Sequence, residues 1–163
     1  MTRSLLTMLR GGFAAWSPLP LRFIIGYGFM AHGFAKLGRG ADQFAAILQA
    51  LGMPEPTLLS WTTIVVEVVG GVAILLGAFV TFASLPMIVI LLVAIFTVHL
   101  PNGFSSIKLQ AVTLTGAHFG QPGYECDLFY IAGLVALMLG GPGPLAVDGY
   151  WPSFWRAVRT RGR

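Results

Sequence analysis

The sequence predicts an all-α fold, an integral membrane four-helix bundle with both termini cytoplasmic, a short amphipathic helix on the outer surface and a long outer loop. Three observations lead to this prediction: an apolar composition, four long apolar segments and an uneven distribution of arginines. Hydrophobic residues make up 56% of the chain and charged residues only 10%, with a mean hydropathy of +0.79. Because soluble domains carry about 25% charged residues, the composition indicates a single membrane domain over residues 1–163.

Four apolar segments are long enough to cross the hydrocarbon layer of a bilayer, which is about 30 Å thick. They cover about residues 19–37, 58–78, 82–99 and 124–139. Only the short stretch GAFVT separates the second segment from the third, which predicts a tight helical hairpin. The first and last connections are longer, so both long connections should open on the same side of the membrane.

The basic residues predict which side that is. Six arginines flank the outermost segments: Arg3, Arg10, Arg156, Arg159, Arg161 and Arg163. The two long loops carry only Lys36, Arg39 and Lys108. Since cytoplasmic loops are enriched in Lys and Arg, we expect a multi-pass protein of the bacterial inner (plasma) membrane with both long loops outside. The net charge of +4 is not a nucleic-acid signal, because the basic residues do not line one polar face.

Both outer connections contain further patterns. In DQFAAILQALG, Asp42 is a plausible helix N-cap. Apolar residues then recur at i, i+3, i+4 and i+7: Phe44, Ile47, Leu48 and Leu51. This spacing predicts a short amphipathic helix on the outer surface. In the loop at 101–123, KLQAVTLTG is strand-like and predicts part of a hairpin.

The helical repeat of about 100° per residue places polar and small residues on shared faces. The first helix carries Arg22, Gly26, Phe29, Gly33 and Lys36, with His32 nearby. The second carries Ser60, Thr63, Glu67, Gly70, Gly71 and Ala78. The fourth carries Glu125, Ala132, Ala136 and Gly140. Small residues let membrane helices approach closely, so we expect these faces to point into the bundle.

Ionisable residues inside a membrane are expected to pair, because an unpaired charge at its centre costs at least about 2.5–3.5 kcal/mol. We expect a deep structural ion pair between Arg22 and Glu67 that fixes the register of the helices. We also expect a polar pocket open to the outer side that could bind a ligand, lined by His32, Lys36, Glu67, His99 and Glu125. Two simpler interpretations stay open: Lys36 could extend to the headgroups, and His99 could only cap the third helix.

Other kinds of site are not indicated. The two inward histidines differ in depth by several ångströms and lack the spacing of metal or haem ligands, so no metal site is expected. The single Cys126 excludes an intrachain disulfide and a cysteine cluster. No residue pattern assigns a catalytic role.

Six stretches of the chain together resemble the DoxX family of small bacterial membrane proteins. In order, they are LRFIIGYGFMAHGFAKL, LGMPEP, VEVVGGVAILLG, AIFTVHLPNGF, GYECDLFY and GPGPLAVDG. The resemblance runs from about Leu21 to Gly149. The residues at the family's motif positions are Arg22, His32, Gly33, Lys36, Glu67, Gly71, His99, Gly103, Phe104, Glu125 and Asp148. The chain departs from the pattern in its long loop after His99, and Pro144 and Ala146 replace more polar residues.

The resemblance implies a four-helix membrane bundle associated with redox chemistry. The family is named for a subunit of an archaeal thiosulfate:quinone oxidoreductase, and other members resemble membrane partners of oxidoreductase or thiol-handling systems. We therefore predict a membrane subunit or partner of a quinone-linked oxidoreductase. Its pocket would bind and protonate a quinone or a small anion such as thiosulfate, because lysine and histidine suit an anion and a glutamate with a histidine suits proton delivery.

The chain contains no recognisable flavin, iron–sulfur or haem motif. No cofactor is therefore expected in the chain itself beyond a bound quinone, and electrons would come from a redox protein partner. A second hypothesis is a non-catalytic scaffold or assembly subunit whose polar cluster only specifies the bundle. A small transporter is a third, which the absence of a visible repeat or broken helix disfavours.

Overall fold

In the computed structural model, residues 12–150 are described. The six terminal arginines that predict the orientation lie outside these residues. The elements in chain order are α1 (Pro18–Arg39), α2 (Ala41–Ala50), α3 (Pro56–Leu76), α4 (Val80–Ala94), a π-helical segment (Ile95–His99), a 3-10 turn (Leu100–Asn102), β1 (Leu109–Thr113), β2 (Gly116–Phe119) and α5 (Glu125–Gly140). The fold is thus mostly helical, as predicted, with one small hairpin in the long loop.

The predicted apolar segments all form helices. Among the described residues, two helices are long and apolar enough to cross a membrane: Pro56–Leu76, with 21 residues, and Val80–Asn102, with 23 residues. Their mean hydropathies are 2.0 and 2.5. Helix α1 contains Arg22, Lys36 and Arg39, and α5 has only 16 residues. Two candidate spans are therefore shown, and the four-span arrangement stays a prediction.

The predicted tight hairpin between the second and third segments is present, and the C-terminal part of the described chain closes it. Gly77 and Phe79 adopt left-handed conformations with φ of 66° and 50°. The Asp148 carboxylate accepts hydrogen bonds from the backbone N–H groups of Phe79, at 2.7 Å, and Val80, at 3.1 Å. The first N–H groups of a helix have no partner inside it, so Asp148 caps the start of α4.

Four long helices contact one another in a ring: α1 packs on α3, α3 on α4, α4 on α5 and α5 on α1. The closest approach joins α1 and α3 at two glycines. A Cβ atom on Gly26 would lie 2.7 Å from the carbonyl oxygen of Gly71, and a Cβ on Gly71 would lie equally close to the oxygen of Gly26. The predicted inward faces of α1 and α3 are confirmed, because Arg22, Gly33 and Glu67 are also buried.

The predicted inward face of α5 is wrong. Ala132, Ala136 and Gly140 are exposed. The buried residues of this helix are Asp127, Gly133, Leu134 and Leu137. The two leucines join the core that Ile25, Phe29, Ile74 and Met87 form. Large aliphatic side chains fill the centre of the ring here, so Ala132, Ala136 and Gly140 do not mark the packing face of α5.

The predicted short helix is present as α2, but it packs against α3 and through a different face from the one its apolar spacing suggests. Its buried residues are Ala41, Ala45 and Leu48, whereas Ile47 is 55% exposed. Ser60 of α3 donates a hydrogen bond from Oγ to the carbonyl oxygen of Ala41 at 2.7 Å. The predicted cap at Asp42 is wrong: α2 begins after Gly40, and no side chain caps it.

The connections between the helices lie at the two ends of the helix ring. The Arg22 end contains the start of α1, the α3–α4 turn and residues 141–149. The His99 end contains α2, the π-helical segment, the β1–β2 hairpin and the start of α5. The polar groups of the two ends form separate clusters.

Candidate functional site

Lys36 and Glu67 form an ion pair between α1 and α3. The Nζ atom of Lys36 lies 2.5 Å and 2.7 Å from the two carboxylate oxygens of Glu67. The Lys36 side chain is 23% exposed and that of Glu67 only 6%. The ring of Phe44, from α2, lies 5.0 Å from the same Nζ atom, which adds a cation–π contact. The two charged groups are thus covered by their contact with each other and by Phe44 of α2.

The register of α1 against α3 explains why Glu67 pairs with Lys36 and not with Arg22. Gly26 meets Gly71, and Gly33 meets Val68 and the Cβ atom of Glu67. Glu67 therefore lies opposite Gly33, and Lys36, three residues further along α1, reaches back to it. The predicted ion pair between Arg22 and Glu67 is wrong, because Arg22 lies level with the last turn of α3, roughly 10 Å further along that helix at 1.5 Å per residue.

Arg22 instead binds backbone carbonyl groups. It is only 2% exposed, and Nε donates to the carbonyl oxygen of Ile74 at 3.2 Å. The two terminal nitrogens donate to the carbonyl oxygens of Leu75, Pro142, Pro144 and Leu145 at 2.8–3.3 Å. A guanidinium group has five N–H donors, so each has an acceptor. The last carbonyls of a helix lack partners within it, and Arg22 joins those of α3 to the loop after α5.

His99 and Asp127 form a second pair, between the end of the α4 helix and the start of α5. Nδ1 of His99 lies 2.5 Å from Oδ2 of Asp127. The His99 side chain is 26% exposed and that of Asp127 is 11% exposed. Within residues 12–150, no partner contacts Nε2 of His99. The imidazole is therefore held at one nitrogen and open at the other.

The local sequence positions both members of this pair. Pro101 has no N–H group and cannot continue a regular α-helix, and the chain before it widens into the π-helical segment that ends at His99. Such segments occur often at functional sites. Asp127 lies in the first turn of α5, where the helix dipole favours a negative charge.

Two of the predicted pocket residues, His32 and Glu125, are not part of either ion pair. His32 is exposed on the outside of α1, and it has no hydrogen-bond partner in the described part of the chain. It faces outward because the α1–α3 interface follows Gly26, Gly33 and Lys36. Oε2 of Glu125 accepts a hydrogen bond from the backbone N–H of Ser106 at 2.9 Å. Glu125 therefore fixes the loop before the hairpin and does not face His99.

The predicted five-residue pocket is thus not assembled in the described structure. Lys36 and Glu67 neutralise one another on one side of the ring, and His99 pairs with Asp127 on another. A cavity of about 460 Å³ lies at the Arg22 end, lined by residues that include Leu21, Ala136, Leu137 and Pro144. None of the predicted pocket residues lines it.

Sequence reasoning missed Asp127 as the partner of His99. The available signal was its position: two residues after Glu125, inside the quoted stretch GYECDLFY, at the start of a helix. Side chains two residues apart point to different sides of a helix. One of the two carboxylates therefore had to face away from the bundle interior, and the sequence does not say which.

Comparisons with known proteins cover most of the chain. The sequence profile of the DoxX family matches residues 17–100, about half of the 163 residues. The chain is also similar to a Mycobacterium tuberculosis protein named "Uncharacterized membrane protein Rv3486", with 26% identity over 136 residues. That alignment covers 81% of this chain and 79% of the relative. No solved structure matches the chain.

Proposed function

Because the chain belongs to the DoxX family of membrane proteins, we propose that it is the membrane subunit or partner of a quinone-linked oxidoreductase system. The His99–Asp127 pair is the proposed site for the quinone headgroup. The observation that carries this proposal is the geometry of His99, which is bound at Nδ1, open at Nε2 and partly exposed. The family resemblance supports the redox context.

The proposal includes the placement of the protein in the membrane. Four long helices form a ring, two of them are candidate spans, and the arginines near both termini favour the cytoplasm for the Arg22 end. The His99 end then faces outward from the bacterial inner membrane. Cysteines introduced at Asp42 and Gln110 should react with an impermeant maleimide in intact cells. Reaction only after permeabilisation would contradict this orientation.

The chemistry assigns one role to each member of the pair. Asp127 accepts a hydrogen bond from Nδ1 and orients the imidazole, and the imidazolium form of His99 is the proton donor of the proposed step. A quinone takes up two electrons and two protons to become a quinol. The electrons come from a partner protein with its own redox cofactor, one proton passes from Nε2 of His99 to a quinone carbonyl oxygen, and the other comes from water. Water then reprotonates His99.

A quinone fits this end better than a small anion does. Binding thiosulfate would need an uncompensated positive charge, and the ammonium group of Lys36 already contacts both oxygens of Glu67. A neutral quinone needs only a hydrogen-bond donor and an apolar path. The exposed side chains of Phe96 and Leu100, in the same helical run as His99, supply apolar surface beside it.

The test is binding of a short-chain quinone such as decylubiquinone to the purified protein in detergent. His99→Gln should weaken binding by about 10-fold or more, since a hydrogen bond to a charged group contributes about 1.5–3 kcal/mol. Asp127→Asn should weaken it less. His32→Gln is the matched control, because His32 is exposed and has no hydrogen-bond partner among residues 12–150, and it should bind like the unmodified protein. Equal binding by all variants would contradict the proposed site.

A non-catalytic scaffold is the second candidate, and the Arg22 and Lys36–Glu67 contacts favour it. All five donors of Arg22 are bound to carbonyl oxygens, and the charge of Lys36 is neutralised by Glu67. A scaffold predicts that every harmful substitution lowers the abundance of the protein in the membrane. The quinone proposal predicts that His99→Gln removes activity at normal abundance. Complementation of a deletion strain, scored against abundance, separates the two.

A further inference from the structure

The β1–β2 hairpin has two chemically different faces. Directly opposed side chains of an antiparallel pair lie on the same face. The pairing therefore gives one face Leu109, Val112, Ala117 and Phe119. The other face carries Ala111, Thr113, Gly116 and His118. On this polar face, Oγ1 of Thr113 lies 3.0 Å from Nε2 of His118.

A β-bulge creates the apolar face. The register shifts between Leu109 and Ala111, so that Gln110 is the extra residue of β1. Because side chains alternate along a strand, Leu109 and Val112 would point to opposite faces without the bulge. With the bulge, both point to the apolar face, and the exposed Leu114 follows in the turn.

The apolar face is uncovered. The side chains of Leu109, Val112 and Phe119 are 58%, 74% and 60% exposed, and Leu114 at the turn is fully exposed. The face carries fewer residues than the 20–30 or so that each partner contributes to a standard protein interface. None of its four side chains carries a hydrogen-bonding group that a protein partner could recognise.

The hairpin is fixed to the ends of the long helices. The N–H groups of Tyr124 and Glu125 donate to the carbonyl oxygens of Gly103 and Phe104 at 3.1 Å and 3.0 Å. Gly123 packs so closely that an added Cβ atom would collide with the carbonyl oxygen of Gly103. The base of the hairpin is thus held at the start of α5, where the helices leave the membrane in the placement proposed above.

The formal charge of this segment is positive, which favours an anionic surface. Residues 101–124 include Lys108 and no aspartate or glutamate, and the carboxylate of Glu125, which follows them, is bound to the backbone N–H of Ser106. They also include Phe104, Phe119 and Tyr124, and aromatic residues are enriched at membrane interfaces. We propose that the apolar face of the hairpin rests in the headgroup region of the bilayer that the helices cross, with anionic phospholipids as its partner.

A fluorescent reporter tests the depth of each face. In a Cys126→Ser background, Val112→Cys and the matched control Thr113→Cys are labelled with an environment-sensitive dye and reconstituted in vesicles of phosphatidylglycerol and phosphatidylcholine. The Val112 label should emit at shorter wavelength and be quenched by nitroxide-bearing lipid, whereas the Thr113 label should be quenched by aqueous iodide. Removal of phosphatidylglycerol should weaken the difference. Leu114→Cys is a second reporter that repeats the test at the turn.

The outcomes separate this proposal from the membrane placement on which it rests. Val69, 61% exposed on α3, serves as the reporter for the span: Val69→Cys labels should be quenched by nitroxide lipid in any spanning arrangement. If Val69 is quenched and Val112 and Leu114 remain accessible to iodide, the hairpin proposal fails alone. If Val69 also remains in water, the spanning proposal fails. Protection of Val112 only after a membrane extract is added would identify a protein partner and overturn the lipid proposal.

Discussion

The two ends of the molecule use polar groups in opposite ways. At the Arg22 end, every N–H of one guanidinium group is bound to a carbonyl oxygen. At the His99 end, a side chain binds only one other side chain and keeps a ring nitrogen open. A saturated group can only hold the structure together, whereas an open group can also exchange a proton or bind a ligand. The Lys36–Glu67 pair is intermediate, since its two charges neutralise one another but the lysine is partly exposed.

The largest expected effect is at the saturated end. Arg22→Met removes five hydrogen bonds, which contribute about 0.6–1 kcal/mol each in membrane and soluble proteins. We expect a loss of about 3–5 kcal/mol in the free energy of unfolding, measured by thermal or denaturant unfolding in detergent. Arg39→Met is the matched control, because Arg39 is exposed at the end of α1, and it should unfold like the unmodified protein. Similar stability of both variants would contradict the structural role of Arg22.

The intermediate pair should give an intermediate effect. Glu67→Leu leaves the Lys36 ammonium group without its partner, but that side chain can turn toward the surface. The loss of stability should therefore be about 2–3 kcal/mol, below the 3–5 kcal/mol or so of a fully buried broken pair. Lys36→Met combined with Glu67→Leu should restore much of it. If Arg22→Met restored stability instead, the register described above would be wrong.

The smallest effect on stability should come from the open end. His99→Gln removes the partner of the buried Asp127, but the N-terminus of α5 still stabilises that carboxylate, so the loss should be about 1 kcal/mol. The unfolding transition should therefore shift little, while quinone binding falls as proposed above. A large loss of stability in this variant would show that His99, like Arg22, mainly stabilises the fold. It would contradict the difference between the two ends.

The sequence predicted the helices well because their apolar segments are long and bounded by clear signals. Pro18 and Pro56 begin two helices, and Gly40 and Gly77 end two. The glycines of α1 and α3 also predicted the packing faces correctly, since close approach requires them. The local sequence pattern was sufficient to predict these features, and also the strand within the long loop.

The partners of the charged residues were not predictable to the same degree. Assigning Arg22 to Glu67 required the relative register of two helices, and an error of two turns changes the partner. The carbonyl groups that Arg22 binds have no signature in the sequence. Predicting whether Glu125 or Asp127 pairs with His99 required the rotation of α5 about its own axis. The packing of Leu134 and Leu137 determines this rotation, and the spacing of the small residues does not.

The π-helical segment has an evolutionary consequence. A π-helical turn holds one residue more than an α-helical turn, so deleting one residue between Ile95 and Val98 would restore a regular α-helix and leave His99 facing Asp127. Returning the segment to an α-helix without a deletion would instead rotate His99 by about 100°. A homologous chain that is one residue shorter here can therefore keep the histidine–aspartate pair, although an ungapped alignment would place its histidine one position away. Gap placement at this point is therefore as informative as residue identity when homologues are compared.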